Sequence, residues 1–285
     1  MKRIIFLLML FNTAYGQTLY FDGHFNTGYP SGFTRHTSGL GDGDSAMVLV
    51  ASPSISGDAI ASILPSNDSS GAFFPRAEGL VVGDSTTPNE YFGFDVNFGD
   101  WVYDTRNGIF FQCYQYDFPV FAGWWQGSGG KSYLRITRQV DTVESEGVFH
   151  SPPITNEVFD TLTFMQVPIN TWLRLDFKCN WQADHTGWIE MYVNRQYFAK
   201  FTGANMNKTF SDINKKIPNV RIGNYGFAFK GTPYPLVIRR TYFENVTVGR
   251  SSQISWLAYM GWDAPAPPAV APKFLLLNYQ AVKVN

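Results

Sequence analysis

Two cysteines in 285 residues are too few for a disulfide-stapled scaffold, and two alone do not make a zinc site. Charge is also scarce. Charged residues make up 16% of the chain and the net charge is −1, which argues against a nucleic-acid partner and leaves no bulk field for steering an anionic polymer. Any polyanion would have to meet a local basic lining. Leu/Ala/Glu/Lys-rich helical periodicity is missing over long stretches, and no internal repeat of fixed period is present. What the chain does hold is aromatic: 17% Phe, Trp and Tyr, with 26 glycines and 16 prolines to build turns. That combination predicts an all-β fold.

The first sixteen residues have the parts of a secretory signal peptide. Lys2 and Arg3 form the positive start, Ile4 to Phe11 the apolar core, and Ala14-Tyr15-Gly16 the small-x-small cleavage site. The segment is too short to span a bilayer stably, and no other stretch is apolar enough to cross a membrane. The mature chain is expected to begin near Gln17 and to be secreted. One β domain over 17–250 is expected, followed at 251–285 by a short tail in which Ala264 to Pro272 is a Pro/Ala linker that cannot join a sheet interior. Cys113 and Cys179 suit either one disulfide or two small hydrophobes in strands, and the residues leave both open. Asn67, Asn207 and Asn245 stand in N-x-S/T sequons. Asp42 and Asp44 are a candidate calcium turn, although a solvated turn is the plainer reading.

Period-two alternation is clearest from Trp172 onward. Leu173, Leu175 and Phe177 alternate with polar residues, a polar turn carries Asp184-His185-Thr186-Gly187, and Trp188, Glu190 and Tyr192 alternate again. Asn194-Arg195 then turns the chain into a third strand from Gln196. Further strands are predicted at 18–25, 46–51, 59–64, 73–80, 91–98, 108–116, 132–138, 161–167, 219–229 and 236–247. The stretches 28–44 and 122–130 read as loops.

These residues carry a resemblance. Trp172, Lys178, Gly187, Ile189-Glu190 and Val193-Asn194, followed by Ile222-Gly223-Asn224-Tyr225-Gly226, resemble the polysaccharide lyases of the heparin-lyase-like and glucuronan-lyase-like group. The likeness runs from about Phe21 to Gly249. It implies a β-jelly roll, a concanavalin-like sandwich of two antiparallel sheets. Laminin-G-like and legume-lectin-like sandwiches share part of the hairpin rhythm, and Arg195 stands where those repeats usually have glycine. An R-x-E-L run near the cleft of these lyases is matched by Arg76 and Glu78, with Gly79 inserted before the leucine. A strand that brings glutamine and histidine into the cleft is matched by Gln112, with Tyr114 in place of histidine.

Lyases of this kind cut uronic-acid polymers by β-elimination. The C5 proton leaves, the C4 glycosidic oxygen departs, and a C4–C5 double bond forms. The sugar carboxylate must be neutralised or hydrogen-bonded so that the developing enolate is stabilised, and a base and an acid must be at hand. The resemblance implies Gln112 as neutraliser and Tyr225 as base and acid. The residues add Arg76 as the cation beside them and His150 as a second base, with His24, His36 and His185 read as loop residues. Substrate contacts are expected from Glu78, Tyr114, Trp124, Arg135 and Arg221, the tryptophan by stacking on sugar rings. The expected partner is an acidic polysaccharide, the expected state a monomer, and neither a metal nor a cofactor is required, with calcium the one candidate ion. Three alternatives stand beside this reading: a non-catalytic carbohydrate-binding jelly roll, a glycoside hydrolase, for which no pair of carboxylates is evident, and a structural surface protein.

Overall fold

A computed structural model describes residues 19–23, 25, 28–29, 33–38, 46–52, 58–65, 76–81, 89–99, 107–115, 118–128, 131–141, 157–207, 217–225 and 238–249. The expected signal segment at 1–16, His24, Asp42, Asp44, Asn67, His150 and residues 251–285 lie outside the described residues.

Fifteen strands follow in chain order: β1 Leu19–Gly23, β2 Phe33–Ser38, β3 Ala46–Ala51, β4 Asp58–Pro65, β5 Arg76–Val81, β6 Asn89–Asn97, β7 Asn107–Gln115, β8 Phe118–Ser128, β9 Lys131–Asp141, β10 Glu157–Gln166, β11 Leu173–Asn180, β12 Trp188–Val193, β13 Gln196–Thr202, β14 Asn219–Tyr225 and β15 Ile238–Gly249. They form two antiparallel sheets. One runs β13-β12-β11-β6-β15-β4-β3, with β1 added along β15; the other runs β10-β9-β8-β7-β14-β5-β2. No α-helix occurs among the described residues, and none of them forms a helix long and apolar enough to cross a membrane. The all-β sandwich is the expected jelly-roll architecture.

The alternation in the sequence becomes the core. Along β11, Leu173, Leu175, Phe177 and Cys179 are buried and Arg174, Lys178 and Asn180 are partly exposed. The inner faces meet through phenylalanine. Phe111 of β7 lies 5.2 Å from Phe177, 5.3 Å from Phe94, 5.7 Å from Phe121 and 6.1 Å from Phe92, ring centre to ring centre. These tilted geometries are the ones aromatic quadrupoles favour.

Two predicted loops contain strands. In 28–44 the Gly, Ser and Thr content hides β2, an edge strand whose register is supplied by β5. In 122–130, Gly123 and Gly127 belong to β8. A Cβ on Gly123 would come within 2.1 Å of Phe111 and 2.7 Å of Phe110, so this glycine makes room in the core rather than a turn. Consequently His36 is a strand residue, paired across from Glu78, and not a loop residue. Both cysteines are free and buried, Cys113 in one sheet and Cys179 in the other. Of the sequon residues described, Asn207 is fully buried and the Asn245 amide donates to Asp95 at 2.6 Å.

Candidate active site

On the second sheet the residues that alternate with the core members face the other way. Ala77, Cys113, Val220, Ile222, Trp125, Leu134 and Ile136 are core. Arg76, Glu78, Gln112, Tyr114, Arg221, Tyr225, Trp124, Arg135 and Thr137 therefore share the open face. A bulge keeps β7 in phase. Its pairing with β8 shifts between Ile109 and Phe111, so Phe110 and Phe111 both enter the core while Ile109 and Gln112 both stay on the open face.

The registers arrange this face in rows across the strands. Arg76, Tyr225, Ile109, Trp124 and Arg135 are successive cross-strand partners on β5, β14, β7, β8 and β9. Arg221, Gln112, Ala122 and Thr137 form the neighbouring row. At about 4.8 Å per strand, Arg76 and Arg135 stand roughly 19 Å apart. Each arginine lies over an aromatic ring of the same face: Arg76 on Tyr225 at 4.6 Å, Arg221 on Tyr114 at 3.7 Å, and Arg135 on Trp124 at 5.0 Å. The Trp124 indole N–H donates to Thr137 Oγ1 at 2.8 Å, which fixes that ring.

Glu78 is the acid among these cations and is fully buried. Gln112 Nε2 donates a short hydrogen bond to Glu78 Oε1. The bond reaches from β5 to β7 across β14, where the residue opposite Glu78 is Gly223. Gly223 has φ +125°, and a Cβ there would lie 2.2 Å from Ala77 O and 2.7 Å from Glu78 Cα. Only glycine allows that approach. The next residue, Asn224, anchors the strand from behind. Its N–H donates to Ser62 Oγ and its side-chain amide to Ser62 O, while Thr241 Oγ1 donates to its Oδ1. Ser62 and Thr241 belong to the opposite sheet, so a satisfied buried network fixes β14 immediately beside Tyr225.

Burial dominates the site's electrostatics. It pushes Glu78 up to about 7, against the pull of Arg76, Arg221 and the Gln112 hydrogen bond. It also raises Tyr225, partly countered by the charge and hydrogen bond of Arg76. Desolvation thus outweighs the nearby cation at this tyrosine. Arg135 and Arg221 are lowered by burial yet remain cationic. Arg76 Nε stands 3.3 Å from Glu78 Oε2, at ion-pair distance but without hydrogen-bond alignment. Gln112 Oε1 and the Nε atoms of Arg76, Arg135 and Arg221 are likewise buried without a hydrogen-bond partner among the described residues. Such an accumulation of unpaired polar atoms, three of them donors, around one face is costly unless a ligand answers it.

The sequence matches the polysaccharide lyase family over residues 26–246, well over half of the chain. The protein belongs to that family. No curated protein matches it significantly. Solved structures similar to this polysaccharide lyase include an endo-β-1,4-glucuronan lyase from the fungus Trichoderma reesei, 16% identical with a TM-score of 0.60, over 82% of this chain and 96% of that one. Alginate lyase Aly36B is 14% identical with a TM-score of 0.51, over 80% and 96% of the two chains. The PL-14 alginate lyase from Aplysia kurodai has the same identity and TM-score, over 82% of this chain and 100% of that one. At these identities the likeness is one of fold.

Eight of the nine nominated site residues meet on the lyase's open face; the ninth, His150, lies outside the described residues. Sequence reasoning passed over Gly223, Asn224, Thr137 and His36. The Ile222-Gly223-Asn224-Tyr225 run held a signal for two of these, since an isolated glycine inside a strand pattern marks close backbone approach. His36 had none, because its strand was not recognised. Among the described residues no cluster of His, Cys, Asp and Glu is suited to a metal ion.

Proposed function

We propose that this polysaccharide lyase is a secreted enzyme that cuts a uronic-acid polymer by β-elimination on the open face of its second sheet. The observation that carries this reading is the set of three partly exposed arginines whose buried Nε atoms have no partner, on the same face as the buried Gln112 amide. An anionic sugar carboxylate supplies the acceptors those donors lack. The aromatic rings beneath the guanidiniums offer apolar platforms for the pyranose faces.

In this reading the substrate carboxylate lies against Arg76, Arg221 and the Gln112 amide, which hold the charge that develops when C5 loses its proton. Tyr225 works at C5 and at the glycosidic oxygen. As a phenolate it takes the C5 proton, the C4–C5 double bond forms, the C4–O4 bond breaks, and the same proton passes to O4, returning the phenolate. Arg76, stacked on the ring, favours that anion. Tyr114 stands where a histidine is expected, and the histidine placed by register beside the cluster is His36 on β2. The glucuronan and alginate lyases of the same fold make a polyuronate the first substrate to test. The family match and the unpaired donors favour a lyase over a non-catalytic binding module.

The test is ultraviolet absorbance of the unsaturated uronate, with mature protein on glucuronan, alginate, heparin and hyaluronan, with and without EDTA. A rise on one polymer, lost in Tyr225→Phe and reduced by at least about a hundredfold in Gln112→Ala, supports the reading. Retention of a polysaccharide with no rise on any polymer would replace it by the binding-module reading. His36→Ala, in the same assay, decides whether that strand residue takes part.

A further inference from the structure

Glu78 is the residue the elimination does not explain. A carboxylate at the floor of a site for carboxylates repels the ligand and competes for the same guanidiniums. Yet it is fully buried, bonded to Gln112, and set beside Arg76 on its own strand and Arg221 on the next. Its Oε2 has no hydrogen-bond partner among the described residues, and neither does Gln112 Oε1. One proton satisfies both: a neutral Glu78 has an O–H to donate, and Gln112 has an oxygen with nothing to accept. The amide then turns its Nε2 away from Glu78 and presents both N–H groups to the lane.

We propose that Glu78 is a proton-accepting positioning residue: it takes up a proton when a uronate carboxylate enters beside Arg76 and Arg221, and so turns the Gln112 amide from itself to the substrate. This inference rests on the lyase reading above and adds to it a proton-linked step in binding. Two carboxylates sharing one pair of guanidiniums do not both ionise cheaply. The incoming sugar carboxylate, solvated and acidic before it binds, keeps its charge, and the buried Glu78 yields by taking a proton from water. The groups bearing on Glu78 are Arg76 on β5, Arg221 and Tyr225 on β14, and Gln112 on β7, with Tyr114 under Arg221 and His36 in register on β2. The arginines stay charged, and in the free site Glu78 titrates near 7. Linkage follows: above that pH binding must draw in a proton, and affinity falls about tenfold per pH unit.

Isothermal titration of the Tyr225→Phe protein with an oligouronate of the polymer that wild type cuts, in buffers of different ionisation enthalpy, counts the protons. At pH 8 the expected uptake is about one proton per carboxylate bound in the site, and at pH 5.5 close to none. With Glu78→Gln added, uptake at pH 8 disappears and the oligouronate binds at pH 8 as tightly as the parent protein does at pH 5.5. Uptake that is absent at pH 8, or that survives Glu78→Gln and is lost in His36→Gln, overturns the proposal. Failure of the lyase reading is a separate result: wild type then cuts no uronate polymer, or Tyr225→Phe cuts as fast as wild type.

Discussion

The three arginines of the open face do not carry equal chemistry. Arg76 and Arg221 flank Glu78 and Gln112, whereas Arg135 stands two strands beyond Gln112, at the far end of the cross-sheet row, stacked on Trp124. A group that touches only a remote sugar binds ground state and transition state alike. Arg135→Ala is therefore expected to raise KM by about tenfold with kcat little changed, while Gln112→Ala lowers kcat; steady-state kinetics on the cleaved polymer separates the two. Individual residues were legible in the sequence to the extent that their strand was. Arg76 and Glu78, two apart in a strand, fall on one face by the period of two, and the pairing of β5 has them so. The reach of Gln112 to Glu78 was not legible. It depends on β14 inserting between their strands with glycine at the crossing point, a contact between residues 34 apart in sequence.

At the scale of the strand and hairpin, local chemistry was readable wherever a turn is built from its own residues. The turn joining β12 and β13 is Asn194-Arg195, with φ of +50° and +64°. Both residues are left-handed, as a two-residue hairpin of this twist requires. Asparagine tolerates that conformation and arginine does not favour it. Arg195→Gly is expected to stabilise the protein by about 0.5–1 kcal/mol, read as a higher denaturant midpoint at unchanged m-value. The strands missed in the sequence failed for the opposite reason. Glycine in β8 was read as a turn former, but Gly123 is set by the volume of Phe110 and Phe111 on the strand beside it. After Phe33, β2 is polar and owes its conformation to β5. Neither cause is local, so no window of sequence displays it.

For the molecule as a whole, a net charge of −1 conceals a strongly uneven distribution. Arg76, Arg135 and Arg221 share one sheet face, and four acids are buried among the described residues, Glu78 in the second sheet and Glu90, Asp176 and Glu244 in the first. Burial raises Glu78 to about 7 and Asp176 to about 6, the latter despite its ion pair with Arg174. A group whose folded pKa lies above its unfolded value contributes stability that is complete below the unfolded pKa and is lost as pH rises through the folded one. The protein should therefore be less stable at pH 8 than at pH 5 by a few kcal/mol from these two acids. Denaturant melts at the two pH values test this, and Glu78→Gln should remove part of the difference. A pH dependence unchanged in that variant would mean that other groups set it.

The placement of β14 bears on when activity first exists. Glu78 and Gln112 are made early, on strands that are not neighbours, and the strand that joins them begins only at Asn219. Thr241, which pins Asn224 from the opposite sheet, comes later still. A nascent chain that ends before residue 219 has two open strand edges, on β5 and β7, where β14 and Tyr225 will stand. Pairings so distant along the chain form slowly and late. On the mechanism proposed above, catalytic competence arrives together with closure of the sandwich, and an unfinished chain carries the arginines without the tyrosine proposed to work beside them.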